Sequence, residues 1–187
     1  MTYFAPPYKG AGLQDITQHF TGTHLAVDFC PPNPYGKFLC SPVEGIVWNV
    51  ITDENIYNEF DEDFKKGYGV MIKERNENRY HVYWHCMQVF PVSRGMTIRQ
   101  GQPIAQMGNS GICYQNGVLV ESRPKLFWPY PGTHLHYEMF ELGAGGERTY
   151  LNPLPLIDFK IPLSYSLLDT IKEVLDGIQR LLNRKVG

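Results

Sequence analysis

A chain of 187 residues with 43% hydrophobic and 19% charged side chains is long enough to bury a core and too apolar to be disordered. A formal charge of −2 provides no field to hold nucleic acid or an anionic membrane, so neither partner is expected. No run approaches the roughly 18 consecutive apolar residues of a membrane span.

In chain order, the first nine residues lack the basic start and apolar stretch of a secretory signal, so a cleaved leader is not expected from them. Residues 1–22 read as an irregular N-terminal arm rich in Pro and Gly. A strand is expected over 23–29, followed by the turn-rich stretch Pro31-Pro-Asn-Pro-Tyr-Gly36. Residues 43–51 are apolar and β-branched, with Gly45 as a candidate bulge. The acidic stretch 52–66 lacks the alternate carboxylates and central Gly of a calcium loop and reads as solvated chain. Residues 69–74 and 80–87 read as two strands joined by the polar turn Arg75-Asn-Glu-Asn78. Gly95, Gly101 and Gly108 punctuate short apolar pairs as in consecutive tight turns. A long Pro-rich, aromatic loop is expected over 112–132, with Tyr114, Phe127, Trp128 and Tyr130 as a groove wall or a packed surface. Residues 133–141 alternate and read as a further strand. The chain is therefore expected to be mainly β, with an antiparallel sheet.

The tail differs. Leu168, Ile171, Leu175, Ile178 and Leu182 keep helical spacing, so residues 164–187 are expected to hold one amphipathic helix that packs on the sheet or self-associates. The body of the protein is then a single domain over 23–160. Cys30, Cys40, Cys86 and Cys113 contain no C-x-x-C pair, and a chain of this size does not need disulfide staples, so reduced thiols are expected.

Four of the six histidines fall in three short segments: His24-Leu-Ala-Val-Asp28, Tyr83-Trp-His85 and His134-Leu-His136-Tyr-Glu138. On a strand, residues i and i+2 share a face, so His134 and His136 point together while Leu135, Tyr137 and Met139 face the core. A straight strand would hold His24 and Asp28 about 13 Å apart at Cα, too far to grip one ion. Sharing a metal requires the chain to bend just before Asp28. Alternation through residues 80–87 puts His81, Tyr83 and His85 on one face and Val82, Trp84 and Cys86 on the other. Cys86 is then a core thiol, not a nucleophile. Two imidazoles and a carboxylate would make a zinc site with one position open for water. On spacing alone, that reading and a set of ordinary polar strand residues both remain open.

The segments resemble the lysostaphin-type (LytM-like) zinc endopeptidases of peptidoglycan. That family carries H-x-G-x-D, a Tyr-x-His-Leu element, a Gly-rich turn region, and H-x-H followed by an aromatic residue and Glu. Here the order is His24-Leu-Ala-Val-Asp28, Tyr83-Trp-His85-Cys86, the turns from Val92 to Gly111, and His134-Leu-His136-Tyr-Glu138. Ser41-Pro-Val-Glu-Gly-Ile-Val47 and Gly67-Tyr-Gly-Val-Met-Ile72 look like the family's early and central strands. The likeness covers about residues 20–141.

The resemblance implies a β-sandwich groove and a single zinc ion per chain held by His24, Asp28 and His136. It implies His85 and His134 as catalytic groups, either one the general base. His19 and His81 match nothing in the pattern and are expected to be structural. Ala26 stands where the family has Gly, Cys86 where it has Leu, and the loop over 112–132 is longer than the family norm. The implied activity is hydrolysis of stem or cross-bridge peptide bonds in bacterial cell-wall peptidoglycan, as by a phage or phage-like lysin released from an infected cell or carried on a virion. Two rivals are a catalytically silent virion or wall-binding protein with the same fold, and a barrel-sandwich carrier or phosphotransfer domain.

Overall fold

Period-two alternation builds the centre of the fold. The computed structural model describes residues 3–52, 67–115, 118–120 and 131–163. Its strands are β1 (Ile16–Gln18), β2 (Val27–Phe29), β3 (Phe38–Cys40), β4 (Gly45–Ile51), β5 (Gly69–Glu74), β6 (Arg79–Trp84), β7 (Thr97–Ile98), β8 (Pro103–Gln106), β9 (Cys113–Gln115), β10 (Val118–Val120), β11 (Leu135–Leu142) and β12 (Arg148–Tyr150). Eight of them form one antiparallel sheet in the order β1-β2-β11-β6-β5-β4-β7, with β12 sharing the β2 edge of β11. β3 with β8, and β9 with β10, make two separate ribbons. The mainly β, antiparallel expectation therefore holds. No helix among the described residues is long and apolar enough to cross a membrane. The expected helix over 164–187, the acidic stretch from 53 and the aromatic residues 127–130 lie outside the described residues.

The two faces of the sheet bury different sets. Leu135, Tyr137 and Met139 of β11 face the main core as expected, together with Val27, Phe29, Val70, Ile72 and Tyr83. The opposite face carries a smaller cluster of Met71, Tyr80, Val82, Trp84 and Phe140, in which Tyr80 and Phe140 stack at 5.3 Å. Register aligns the second face. His136 lies opposite Asp28 on one side and opposite Trp84 on the other, so all three project from the same surface.

Residues 1–22 are not wholly irregular as expected: Ile16–Gln18 form β1, paired with β2 at the edge of the sheet, and the segment before it is fastened to this body. Phe4 N–H donates to Leu156 O (2.8 Å), Asp158 N–H to Phe4 O (3.0 Å) and Ala5 N–H to Pro42 O (2.8 Å). Tyr8 OH donates to Asp15 Oδ2 (2.8 Å). The Phe4 ring, 1% exposed, meets the His81 ring edge-on at 4.8 Å. His81 is structural as expected. It is fully buried, with Nδ1 2.7 Å from Tyr137 OH and Nε2 2.9 Å from Glu74 Oε1.

Several expectations need correction. The strand expected over 23–29 is confined to Val27–Phe29, because a turn at Thr21–His24 consumes the residues before it. The irregularity in β4 falls between Val47 and Asn49, not at Gly45. Gly45 is needed instead because a Cβ there would run into the Lys73 carbonyl. The long loop expected over 112–132 contains the β9–β10 hairpin. Alternation along 80–87 stops at Trp84. His85 adopts φ 58°, and this left-handed step returns Cys86 to the Tyr83 side, inside the main core. Cys86 is a buried thiol as expected, although on the other face. All four cysteines are free thiols.

Candidate metal centre

The site forms where β2, β6 and β11 end together. Asp28 on β2 and His136 on β11 are register partners, and His136 Nδ1 lies 2.9 Å from Asp28 Oδ1. His24 arrives from the turn before β2. His24 N–H donates to Thr21 Oγ1 (3.0 Å) and Thr21 N–H to His24 O (2.8 Å). The resulting bend brings His24 Nε2 to 3.3 Å from Asp28 Oδ1, so the four-residue spacing meets without a helix. Ala26, where the resembled pattern has Gly, is fully buried. Among the described non-glycine residues, only Asn33 and His85 have positive φ, so position 26 needs no glycine.

The hydrogen-bond partners define which nitrogens are free. His24 Nδ1 sits 3.1 Å from the His19 carbonyl, which can only accept, so Nδ1 carries the proton and Nε2 the lone pair. His136 Nε2 sits 3.1 Å from Glu138 Oε1, a buried carboxylate 2% exposed. With that N–H donated to Glu138, the Nδ1 lone pair and the Asp28 carboxylate face each other, and a cation or a proton must lie between them. One ligand atom each from His24, Asp28 and His136 lies within 4.8 Å of the others. Zinc bonds of about 2.0–2.2 Å in a tetrahedron place ligands about 3.4 Å apart. The 2.9 and 3.3 Å separations fit that set to within a few tenths of an ångström. An N–H held by a carboxylate behind a ligating imidazole is the support a metal-binding histidine needs.

Electrostatics agree with the geometry. Burial alone would raise the Asp28 pKa, but hydrogen bonds from His136 and His24 outweigh it and hold the carboxyl well below the usual range. Burial alone would lower His136. Its bonds to Asp28 and Glu138 prevail and push it up to about 9, so without a metal a proton fills the gap. His24 is raised for the same reason, Asp28 outweighing burial.

His85 and His134 line the same opening. His134 lies just before β11, not on the strand as expected. Its Nδ1–H donates to Gly132 O (2.8 Å), and its Nε2 is 3.8 Å from Asp28 Oδ2. His85 Nδ1–H donates to Ser110 O (2.7 Å). The His85 ring centroid is 4.6 Å from that of His134 and 5.7 Å from that of His136. Burial first, then the neighbouring His134 and His136, push His85 down to about 3. Burial also lowers His134, against the pull of Asp28. Both rings are neutral near pH 7, with Nε2 free to accept a proton.

Three contributors carry no role in the site on the sequence pattern alone. Ser110 is anchored on both sides, its Oγ donating to Cys86 O (2.8 Å) and accepting from Tyr68 N–H (2.9 Å), and its carbonyl orients His85. Glu138 supports His136. Cys113, at the start of β9, puts Sγ 3.4 Å from His85 Nδ1. The first two stand within the motif segments, whereas nothing about Cys113 marks it in one dimension.

Fold and donor set define a mainly antiparallel β protein with a candidate metal centre at the strand ends. The model of Peptidase family M23 matches residues 22–153, and the chain belongs to that family of peptidoglycan-cleaving endopeptidases. No curated protein matches the chain. LytU is similar in structure, with a TM-score of 0.53 and 23% identity over 75% of this chain and 82% of its own. Csd3 of Helicobacter pylori gives a TM-score of 0.55 at 18% identity over 96% of this chain and 39% of that one. A zinc-containing peptidase from Vibrio cholerae gives 0.53 at 18% identity over 86% and 41%. The chain thus spans about two fifths of these last two proteins, and the likenesses concern the fold.

Proposed function

We propose that this chain is a zinc-dependent endopeptidase that hydrolyses peptide bonds in the stem or cross-bridge of bacterial peptidoglycan, with residues 23–160 as the catalytic unit. The observation that carries the reading is the meeting of His24 Nε2, Asp28 Oδ1 and His136 Nδ1, with the remaining nitrogens of both rings engaged by His19 O and Glu138. Membership of a family that is typically zinc-dependent supports it. Zinc in such a set supplies a Lewis acid for the scissile carbonyl and draws the pKa of a water down towards 7.

The chain's own residues do the rest. His85 and His134 present neutral Nε2 atoms, that of His134 3.8 Å from Asp28 Oδ2, because Ser110 O and Gly132 O hold their Nδ1 protons. One of them takes the proton of the attacking water and passes it to the leaving amine. The other takes up a proton at Nε2, its Nδ1–H staying on its backbone carbonyl, and so becomes a donor to the oxygen that gains charge as the carbonyl becomes tetrahedral. Water attacks directly, so no acyl-enzyme forms. The buried Cys86 thiol, held far above its usual pKa by burial, takes no part.

The test is metal analysis of the pure protein together with mass spectrometry of digested peptidoglycan. One zinc per chain and new peptide termini are expected. Metal-free protein that cleaves walls, or zinc-loaded protein that yields no new termini, overturns the proposal.

A further inference from the structure

His85, Cys113 and His134 form a second donor set on the other flank of Asp28, with one ligand atom of each within 4.8 Å of the other two. Cys113 Sγ lies 3.4 Å from His85 Nδ1 and 3.5 Å from Ser110 O, and the side chain is 1% exposed. The chemistry differs from the first set in one respect: a thiol replaces the carboxylate. Thiolate with imidazole selects soft ions such as zinc, cadmium and copper(I) over hard oxygen-seeking ones. Bonds of about 2.0–2.3 Å bring tetrahedral ligands to about 3.3–3.6 Å from one another. The widest allowed pair must therefore close by about 1.5 Å, within reach of small side-chain rotations. No other cysteine is so placed. Cys86 Sγ faces the Tyr83 and Trp84 carbonyls, and exposed Cys30 donates to Thr133 O.

We infer that Cys113, His85 and His134 constitute an inhibitory site for a thiophilic metal ion, separate from the His24–Asp28–His136 set. On binding, the Cys113 S–H bond breaks and its proton leaves to solvent, His85 and His134 give their Nε2 lone pairs while their Nδ1 protons stay on Ser110 O and Gly132 O, and sulfur–metal and nitrogen–metal bonds form with no change of oxidation state. Resting on the peptidase reading, the consequence is regulation: an ion here occupies the two imidazoles that would otherwise carry protons, and hydrolysis stops.

The experiment titrates Cd2+ into zinc-loaded wild-type, Cys113→Ser, Cys30→Ser and His134→Ala proteins, and into Asp28→Ala. It follows bound metal per chain and the ultraviolet thiolate-to-cadmium charge transfer, with circular dichroism reporting the fold. Wild type and Cys30→Ser should take up an ion with charge transfer. Cys113→Ser should lose the band, and His134→Ala should bind about tenfold or more weakly, which keeps the test open should the serine variant misfold. Excess Zn2+ should inhibit peptidoglycan cleavage by wild type. A band undiminished in Cys113→Ser, or one that vanishes in Cys30→Ser instead, overturns the inference. If Asp28→Ala combined with Cys113→Ser retains as much zinc as wild type, the peptidase reading fails. The cadmium comparison of Cys113→Ser with wild type still decides the second site.

Discussion

Glu138→Gln keeps the shape of the side chain behind His136 and removes its charge. Glu138 is almost fully buried, and Oε1 accepts from His136 Nε2–H at 3.1 Å. A hydrogen bond to a charged acceptor contributes about 1.5–3 kcal/mol, and a neutral one about half as much. The amide therefore forfeits about 1–1.5 kcal/mol of the support that keeps the proton on Nε2. It also carries a donor group which, turned inward, would favour the wrong tautomer and put hydrogen on Nδ1, the ligand atom. Together these should weaken zinc binding by about 10- to 100-fold, or about 1.4–2.8 kcal/mol. Competition against a chromophoric chelator at fixed pH measures the affinity. Turnover on isolated peptidoglycan should recover largely when zinc is added back. Affinity within about twofold of wild type would show that Glu138 does not set the His136 tautomer.

Other changes separate the roles. Asp28→Ala and His136→Ala should lose zinc on dialysis and all activity. His85→Ala and His134→Ala should retain about one zinc per chain yet lose about 100- to 10,000-fold in turnover; native-rate wall lysis by His85→Ala would refute its assignment. Phe4→Ala empties a site against His81 and should cost about 3–5 kcal/mol in denaturant unfolding; a change under about 1 kcal/mol would show that the N-terminal segment contributes little. Acid should weaken the fold through the Glu74–His81 pair. Burial keeps His81 neutral in the folded state, so the unfolded chain binds more protons once pH falls below about 6.5. For Glu74, burial is outweighed by His81 and Arg79, and its depressed pKa gives stability that is lost as pH falls through the carboxylate range. Both contributions have the same sign. The unfolding midpoint should fall from about pH 7 to about pH 4, and His81→Gln should flatten the upper part of that fall.

The legible parts of the molecule were those governed by local period. β5 matches its expected residues, and β11 departs from expectation by one or two residues at each end, because apolar alternation over six to eight residues leaves little choice of face. The His24–Asp28 spacing was legible in a different way. It could not serve one ion on a straight strand, and the Thr21–His24 turn supplies the bend. Position 85 was misread because alternation cannot announce a single left-handed residue. The β9–β10 hairpin was hidden by its short strands, and Cys113 with it. Their place beside His85 depends on a contact between residues 28 apart in the chain, which no local pattern encodes.

The backbone at His85 has a consequence for anyone evolving this protein. A left-handed conformation suits Gly or Asn and penalises an imidazole by about 1 kcal/mol or more. A screen for heat resistance alone should therefore drift towards Gly or Asn at this codon, yielding sturdier molecules that no longer cut walls. On the proposed reading, His85 serves turnover against the preference of the chain that holds it.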